Sequence, residues 1–203
     1  MKKLFVMGDS ISVQYRPYLA QYTQGVWSMN SDEKEMELAL ANLDDPAGLN
    51  GGDSGIVLKK LTTYRDGGVL SFDAIVLNCG LHDIKRHPQT GDVQIKLDQY
   101  RENLRAITEL LRALPGRLYW VRTTPVEDQV HNNPHMSFFR YQKDVVAYNA
   151  EADRIMDGAG AKIIDLHRFT KNLGDSVYCD HVHYIEPVRQ LQAAFIAGHL
   201  LAE

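Results

Sequence analysis

The sequence predicts an α/β protein, a three-layer α/β/α sandwich around a central, mainly parallel sheet. Short apolar runs alternate along the chain with amphipathic stretches, the rhythm of strands joined by crossover helices. The runs are rich in β-branched or aromatic residues and short enough for strands buried on both faces. No repeat, low-complexity tract or linker interrupts the 203 residues, so one domain over 1–203 is expected.

Lys3–Met7 is the first strand, and a weaker one is expected at Val26–Met29. Residues Ser31–Gly52 read as a long polar insertion, with a helical piece over Asp32–Leu43 followed by a turn cluster. Asn50-Gly51-Gly52-Asp53-Ser54-Gly55 opens a helix, and the next strand is Asp73–Asn78. Leu97, Tyr100, Leu104, Ile107, Leu111 and Leu114 recur at three- and four-residue steps, placing them on one helical face. That helix stops at Pro115-Gly116, before a strand over Arg117–Arg122. A polar loop, Val126–Ser137, leads to a helix marked by Tyr141, Val145, Tyr148, Ala152 and Ile155 and ending near Gly158. A strand at Ala161–Leu166 and a helix from about Pro187, with Val188, Leu191, Phe195 and Leu200 on one side, complete the chain.

Composition narrows the function classes. Hydrophobic residues make up 44% and charged residues 24%, ordinary for a soluble globular protein. A net charge of −4 without any basic run argues against nucleic acid or an anionic membrane as partner. No apolar stretch approaches the ~20 residues of a membrane span. Leu4-Phe5-Val6-Met7, behind two lysines, is too short for a signal-peptide core. Cys79 and Cys179 give no disulfide framework. A cytoplasmic location is expected.

The chemistry gathers at strand ends, where open α/β sheets place their ligands. Gly8-Asp9-Ser10 follows the first strand, so the Ser10 hydroxyl and amide sit at a helix N-terminus, where partial positive charge collects. Asp-Ser is equally a helix-capping pair. Near the other end, Asp180 and His183 stand three residues apart in Cys179-Asp180-His181-Val182-His183. That spacing lets the carboxylate fix the imidazole tautomer and leaves Nε2 to take a proton from a serine. A capping aspartate with a partly exposed histidine reads the same way. Asn50–Gly55 and Gly80-Leu81-His82-Asp83 each offer N–H donors to a developing oxyanion.

Taken in order, Ser10, Gly52, Gly80-Leu81-His82-Asp83 and Asp180-His181-Val182-His183 resemble the blocks of the SGNH (GDSL) hydrolase family across nearly the whole chain. The resemblance implies a flavodoxin-like α/β/α fold and a serine esterase without metal or cofactor. It implies Ser10 as nucleophile, Asp180 and His183 as its relay, and Ser10, Gly52 and the third block as oxyanion hole. The family carries asparagine in that third block, where this chain has His82; Ile11 replaces the leucine that often follows the serine. A neutral histidine can still donate one N–H.

Other readings compete. His181, with His82, Asp83, Asp180 and His183, is a possible divalent-metal set. Cys79 and Cys179 flank the two proposed loops as a redox switch near the catalytic centre or, more simply, as small buried residues beside tight turns. Arg16, beside Tyr15, and Arg122 suit an acidic group or surface ion pairs. His131 and His135 belong to a substrate-selecting loop or a solvated one. The expected substrate is a small ester, a carbohydrate acetyl ester above others. The alternatives are a ligand-binding protein silenced at His82 and an acyltransferase using the same acyl-enzyme.

Overall fold

The computed structural model describes residues 1–133 and 135–202. Five strands form one parallel sheet in the order β2-β1-β3-β4-β5. They are β1 (Lys2–Met7), β2 (Trp27–Met29), β3 (Ala74–Leu77), β4 (Arg117–Val121) and β5 (Lys162–Ile164). The helices between and after them are α1 (Ser10–Tyr22), α2 (Glu33–Ala41), α3 (Ser54–Asp66), α4 (Leu97–Arg112), α5 (Asp128–His131), α6 (Gln142–Gly158), α7 (Leu166–Lys171) and α8 (Glu186–Leu201).

The central strands are apolar because both faces are covered. Every residue of β3 is buried, and Phe5 and Val6 of β1 pair with Ile75 and Val76. Two groups of packed helices flank the sheet, α1 with α7 and α8, and α3 with α4 and α6. The strand order turns back between β1 and β3, since the chain goes from β1 outward to β2 and then returns. The carboxyl ends of two strands that flank such a switch point open a crevice.

The α4 stripe buries Tyr100, Leu104, Ile107 and Leu111 as its periodicity predicts, and Val145, Tyr148, Ala152 and Ile155 do so in α6. The α8 face is different. Val188, Gln192, Ile196 and Leu200, four residues apart, point inward, whereas Leu191 is exposed. The insertion helix α2 ends before Leu43 because Asn42 turns extended, at φ −151° and ψ 103°. Its cap, Asp32, accepts from Glu35 N–H at 3.1 Å.

Candidate active site

Ser10 opens α1. Asp9 caps the helix through Ile11 N–H at 3.0 Å, so the Ser10 amide stands among the first-turn N–H groups that have no partner within the helix. Gly8, the last step out of β1, passes so close to α1 that an added Cβ would lie 2.9 Å from the Ser12 Cβ. The capping and nucleophile readings of Asp9-Ser10 are therefore compatible: Asp9 caps, and Ser10 is the first helical residue.

The loop before α8 brings in the other two groups. Asp180 Oδ1 accepts from the Val182 and His183 amides at 2.8 and 2.7 Å, and Oδ2 meets His183 Nδ1 at 2.8 Å. His183 Nε2 lies 2.9 Å from Ser10 Oγ, across 173 residues of sequence. Burial favours the neutral acid of Asp180, but the His183 hydrogen bond and the two amides outweigh it and hold the carboxyl far below its usual range. An ionised carboxylate only accepts, so Nδ1 carries the proton and Nε2 is free to accept from the serine.

His82 and Gly52 are the other two site residues that the sequence predicts. His82 follows β3, its ring is 1% exposed, and neither ring nitrogen has a hydrogen-bond partner among the described residues. Burial first, then the Lys85 and Arg140 charges, keep its pKa well below the ordinary value, so the ring is neutral. Gly52 has φ +71°, a left-handed conformation that favours glycine, and its N–H is taken by Asn50 Oδ1 at 3.1 Å. Asp83 ties the two turns together. Its carboxylate accepts from the Ser54 N–H at 3.0 Å and from the Ser54 hydroxyl, and burial raises it to about 7.

No protein-family model matches the sequence, and no curated protein matches it. Solved structures do. A lipase/acylhydrolase from Enterococcus faecalis superposes with a TM-score of 0.71 at 16% identity, over 98% of this chain and 95% of the other. An acetylxylan esterase from Geobacillus stearothermophilus gives 0.71 at 15%, over 100% and 95%. A GDSL-like lipase from Bacteroides thetaiotaomicron gives 0.69 at 14%, over 98% and 87%. This chain has the SGNH hydrolase fold.

On this SGNH scaffold the remaining candidates separate. Arg16 is not a surface ion-pairing residue. It is buried and donates to the Val6 carbonyl at 2.9 Å and to that of Asn30, so it stitches α1 to β1 and the end of β2. Arg122 does pair with acids, Asp153 at 2.8 Å and Asp165 at 2.5 Å. Cys79 is buried, but Cys179 is exposed. Asp180, His181 and His183 present donor atoms within 4.8 Å of one another, a possible metal grouping. Asp83 does not join it, since Ser54 takes its carboxylate.

The Val126–Ser137 loop is largely solvated, with residues 127–130, His135 and Ser137 exposed, but His131 departs from it. His131 is fully buried, and Pro134 of the same loop lies outside the described residues. His131 Nδ1 meets His181 Nδ1 at 2.7 Å, and the two rings stack at 4.7 Å. His181 Nε2 reaches Asp44 Oδ2 at 3.2 Å, and His131 Nε2 lies 3.4 Å from Arg140 Nη1. Arg140, Asp44 and Lys85 carry no motif that marks them in sequence. An arginine among aromatics, in Phe138-Phe139-Arg140-Tyr141, is the one signal for Arg140.

Proposed function

We propose that the protein hydrolyses carboxylic esters through an acyl-enzyme on Ser10. The observation that carries this reading is the continuous line Asp180 Oδ2 to His183 Nδ1 at 2.8 Å and His183 Nε2 to Ser10 Oγ at 2.9 Å, beside an α1 N-terminus. In this reading Ser10 Oγ attacks the ester carbonyl while His183 Nε2 takes its proton. The imidazolium then gives that proton to the departing alcohol. Water repeats the cycle and releases the acid. The Ser10 N–H and the neutral His82 N–H hold the oxyanion, and Gly52 N–H adds a third donor once Asn50 Oδ1 releases it. The reaction draws on no cofactor.

A small acetyl ester, on a carbohydrate, is the substrate we favour; the likeness to an acetylxylan esterase supports it. Ser10, His82 and His183 are each at most 2% exposed, so a substrate enters only when the covering residues shift. The test is release of p-nitrophenol from p-nitrophenyl acetate, with fluorophosphonate labelling in parallel. Parent turnover, lost by ~10⁴-fold or more in Ser10→Ala together with the label, is the expected result. A parent that neither turns over nor labels would return the fold to a binding role.

A further inference from the structure

Arg140 is a buried cation without an ion-pair partner among the described residues. Its side chain is 1% exposed, and no carboxylate lies within ion-pair distance of it among the described residues. Its hydrogen bonds go to neutral acceptors, the Leu81 carbonyl at 2.6 Å and His131 Nε2 at 3.4 Å. Keeping such a charge from water is unfavourable unless something offsets it. The acids whose charge it feels are, in order, Asp44, Asp9 and Asp180, and the last two flank Ser10 and orient His183. The contacts place the guanidinium close to the proposed reacting centre: it holds the Leu81 carbonyl next to His82, and its partner His131 stacks on His181, whose ring centre lies 5.8 Å from that of His183.

A second cation shares the place. The Lys85 ammonium lies 4.4 Å from the Phe138 ring centre and Arg140 Cζ lies 4.7 Å from it, so one aromatic ring serves both. Lys85 donates to the Asp44 backbone carbonyl at 2.9 Å and makes no ion pair with a carboxylate among the described residues. Its pKa falls to about 8, through burial and then through Arg140. Asp44 is the acid whose charge acts most strongly on both cations, and its carboxylate reaches Arg140 indirectly. Arg140 only donates and the Asp44 carboxylate, held at about 2, only accepts, so the line runs Arg140 to His131, His131 to His181, His181 to Asp44. His82, with two unpartnered ring nitrogens among the described residues, is kept neutral by burial and then by Lys85 and Arg140, with Asp44 opposing them.

We propose that the site takes an ester carrying an anionic group, a carboxylate or a phosphate, near the scissile bond, held by Arg140 and Lys85 where the Asp44 carboxylate now answers their charge. This deepens the ester-hydrolase reading and rests on it. Asp44, on the segment between α2 and α3, is the internal stand-in that the substrate anion replaces. Among the described residues the Asp44 carboxylate is held by His181 alone, while its backbone is tied by Lys85 at the Asp44 carbonyl, by the Asp44 N–H to Asn42 Oδ1 at 3.1 Å, and by Asn50 at the Leu43 and Asp45 carbonyls.

The test separates anion recognition from turnover. Binding of 3-acetamidobenzoate, 3-acetamidophenyl phosphate and the neutral 3-acetamidobenzamide, amides that the reaction spares, is measured by calorimetry at low salt. At least one anion is expected to bind about tenfold more tightly than the neutral probe. Lys85→Gln, a partly exposed position, should narrow that ratio about threefold or more, and Asp44→Asn should widen it. Comparison of 3-carboxyphenyl acetate with 3-carbamoylphenyl acetate should show the same preference in kcat/KM. Equal binding of charged and neutral probes overturns the proposal, as does a ratio unmoved in Lys85→Gln or falling in Asp44→Asn. Fluorophosphonate labelling of Ser10 reports separately on the ester-hydrolase reading, so failure of one is not mistaken for failure of the other.

Discussion

In the proposed mechanism His82 is the residue on which the chemistry turns. An imidazole kept neutral by burial and by the Lys85 and Arg140 charges presents one N–H and no positive charge to an oxyanion, much as an asparagine amide would. His82→Ala should therefore lower kcat on p-nitrophenyl acetate by ~10²-fold or more, while His82→Asn should stay within about tenfold of the parent. Because the folded pKa lies well below the ordinary value of 6.5, His82 adds no step to the rate profile near neutrality. The acid limbs of parent and His82→Asn should superpose; a limb displaced in the variant would show that His82 titrates in the working range. Asp180 acts one bond further back. Asp180→Asn keeps an acceptor but loses the carboxylate that selects the Nδ1–H tautomer, and kcat should fall by roughly 10²–10⁴-fold with KM little changed.

The turn before α3 and the loop after β3 meet through one carboxylate. Asp83 is fully buried and bound to both the amide and the hydroxyl of Ser54, and Asn103 Nδ2 donates to that hydroxyl at 2.8 Å. With a folded pKa raised to about 7 against 3.8 unfolded, the native protein keeps a proton that the unfolded chain releases between those values. Its contribution is therefore most favourable at acid pH and fades as pH rises towards 7. Asp9, also raised by burial, acts in the same sense, and Asp44, held at about 2, acts only in stronger acid. Urea midpoints at pH 5 and pH 7.5 should differ less in Asp83→Asn than in the parent; equal differences would mean that Asp83 does not titrate there. The same turn constrains Gly52. A Cβ there would add left-handed strain and lie 2.5 Å from the Pro46 Cβ, so Gly52→Ala should destabilise by about 1–3 kcal/mol in the same assay.

Ser10 and His183 come from opposite ends of the chain, and the packing of α1 on α8 at the β1–β3 switch point brings them together. Much of that was readable in the sequence. Strands such as Ala74–Leu77, covered on both faces, must be continuously apolar, and an Asp-x-x-His pair closes on itself through its own backbone. The four-residue α5 and six-residue α7 were not readable, since neither is long enough to display a 3.6-residue period. Arg140 was not readable either, because what distinguishes it is burial without an ion-pair partner among the described residues, a property of three dimensions. The α1–α8 contact also bears on whether the triad geometry depends on the core beneath it. Ile196 is fully buried in α8. Ile196→Ala removes three carbons from a close-packed site and should reduce stability by about 2–5 kcal/mol, lowering Tm by roughly 5–15 °C. Val146→Ala, at a 54% exposed position on α6, should change stability by no more than about 0.5 kcal/mol. At 25 °C, below either transition, both variants should keep most of the parent's kcat, because Asp180 is fixed by the Val182 and His183 amides of its own loop rather than by α8. A kcat that collapsed in Ile196→Ala while the protein stayed folded would place the control of the Ser10–His183 distance in the helix pair instead.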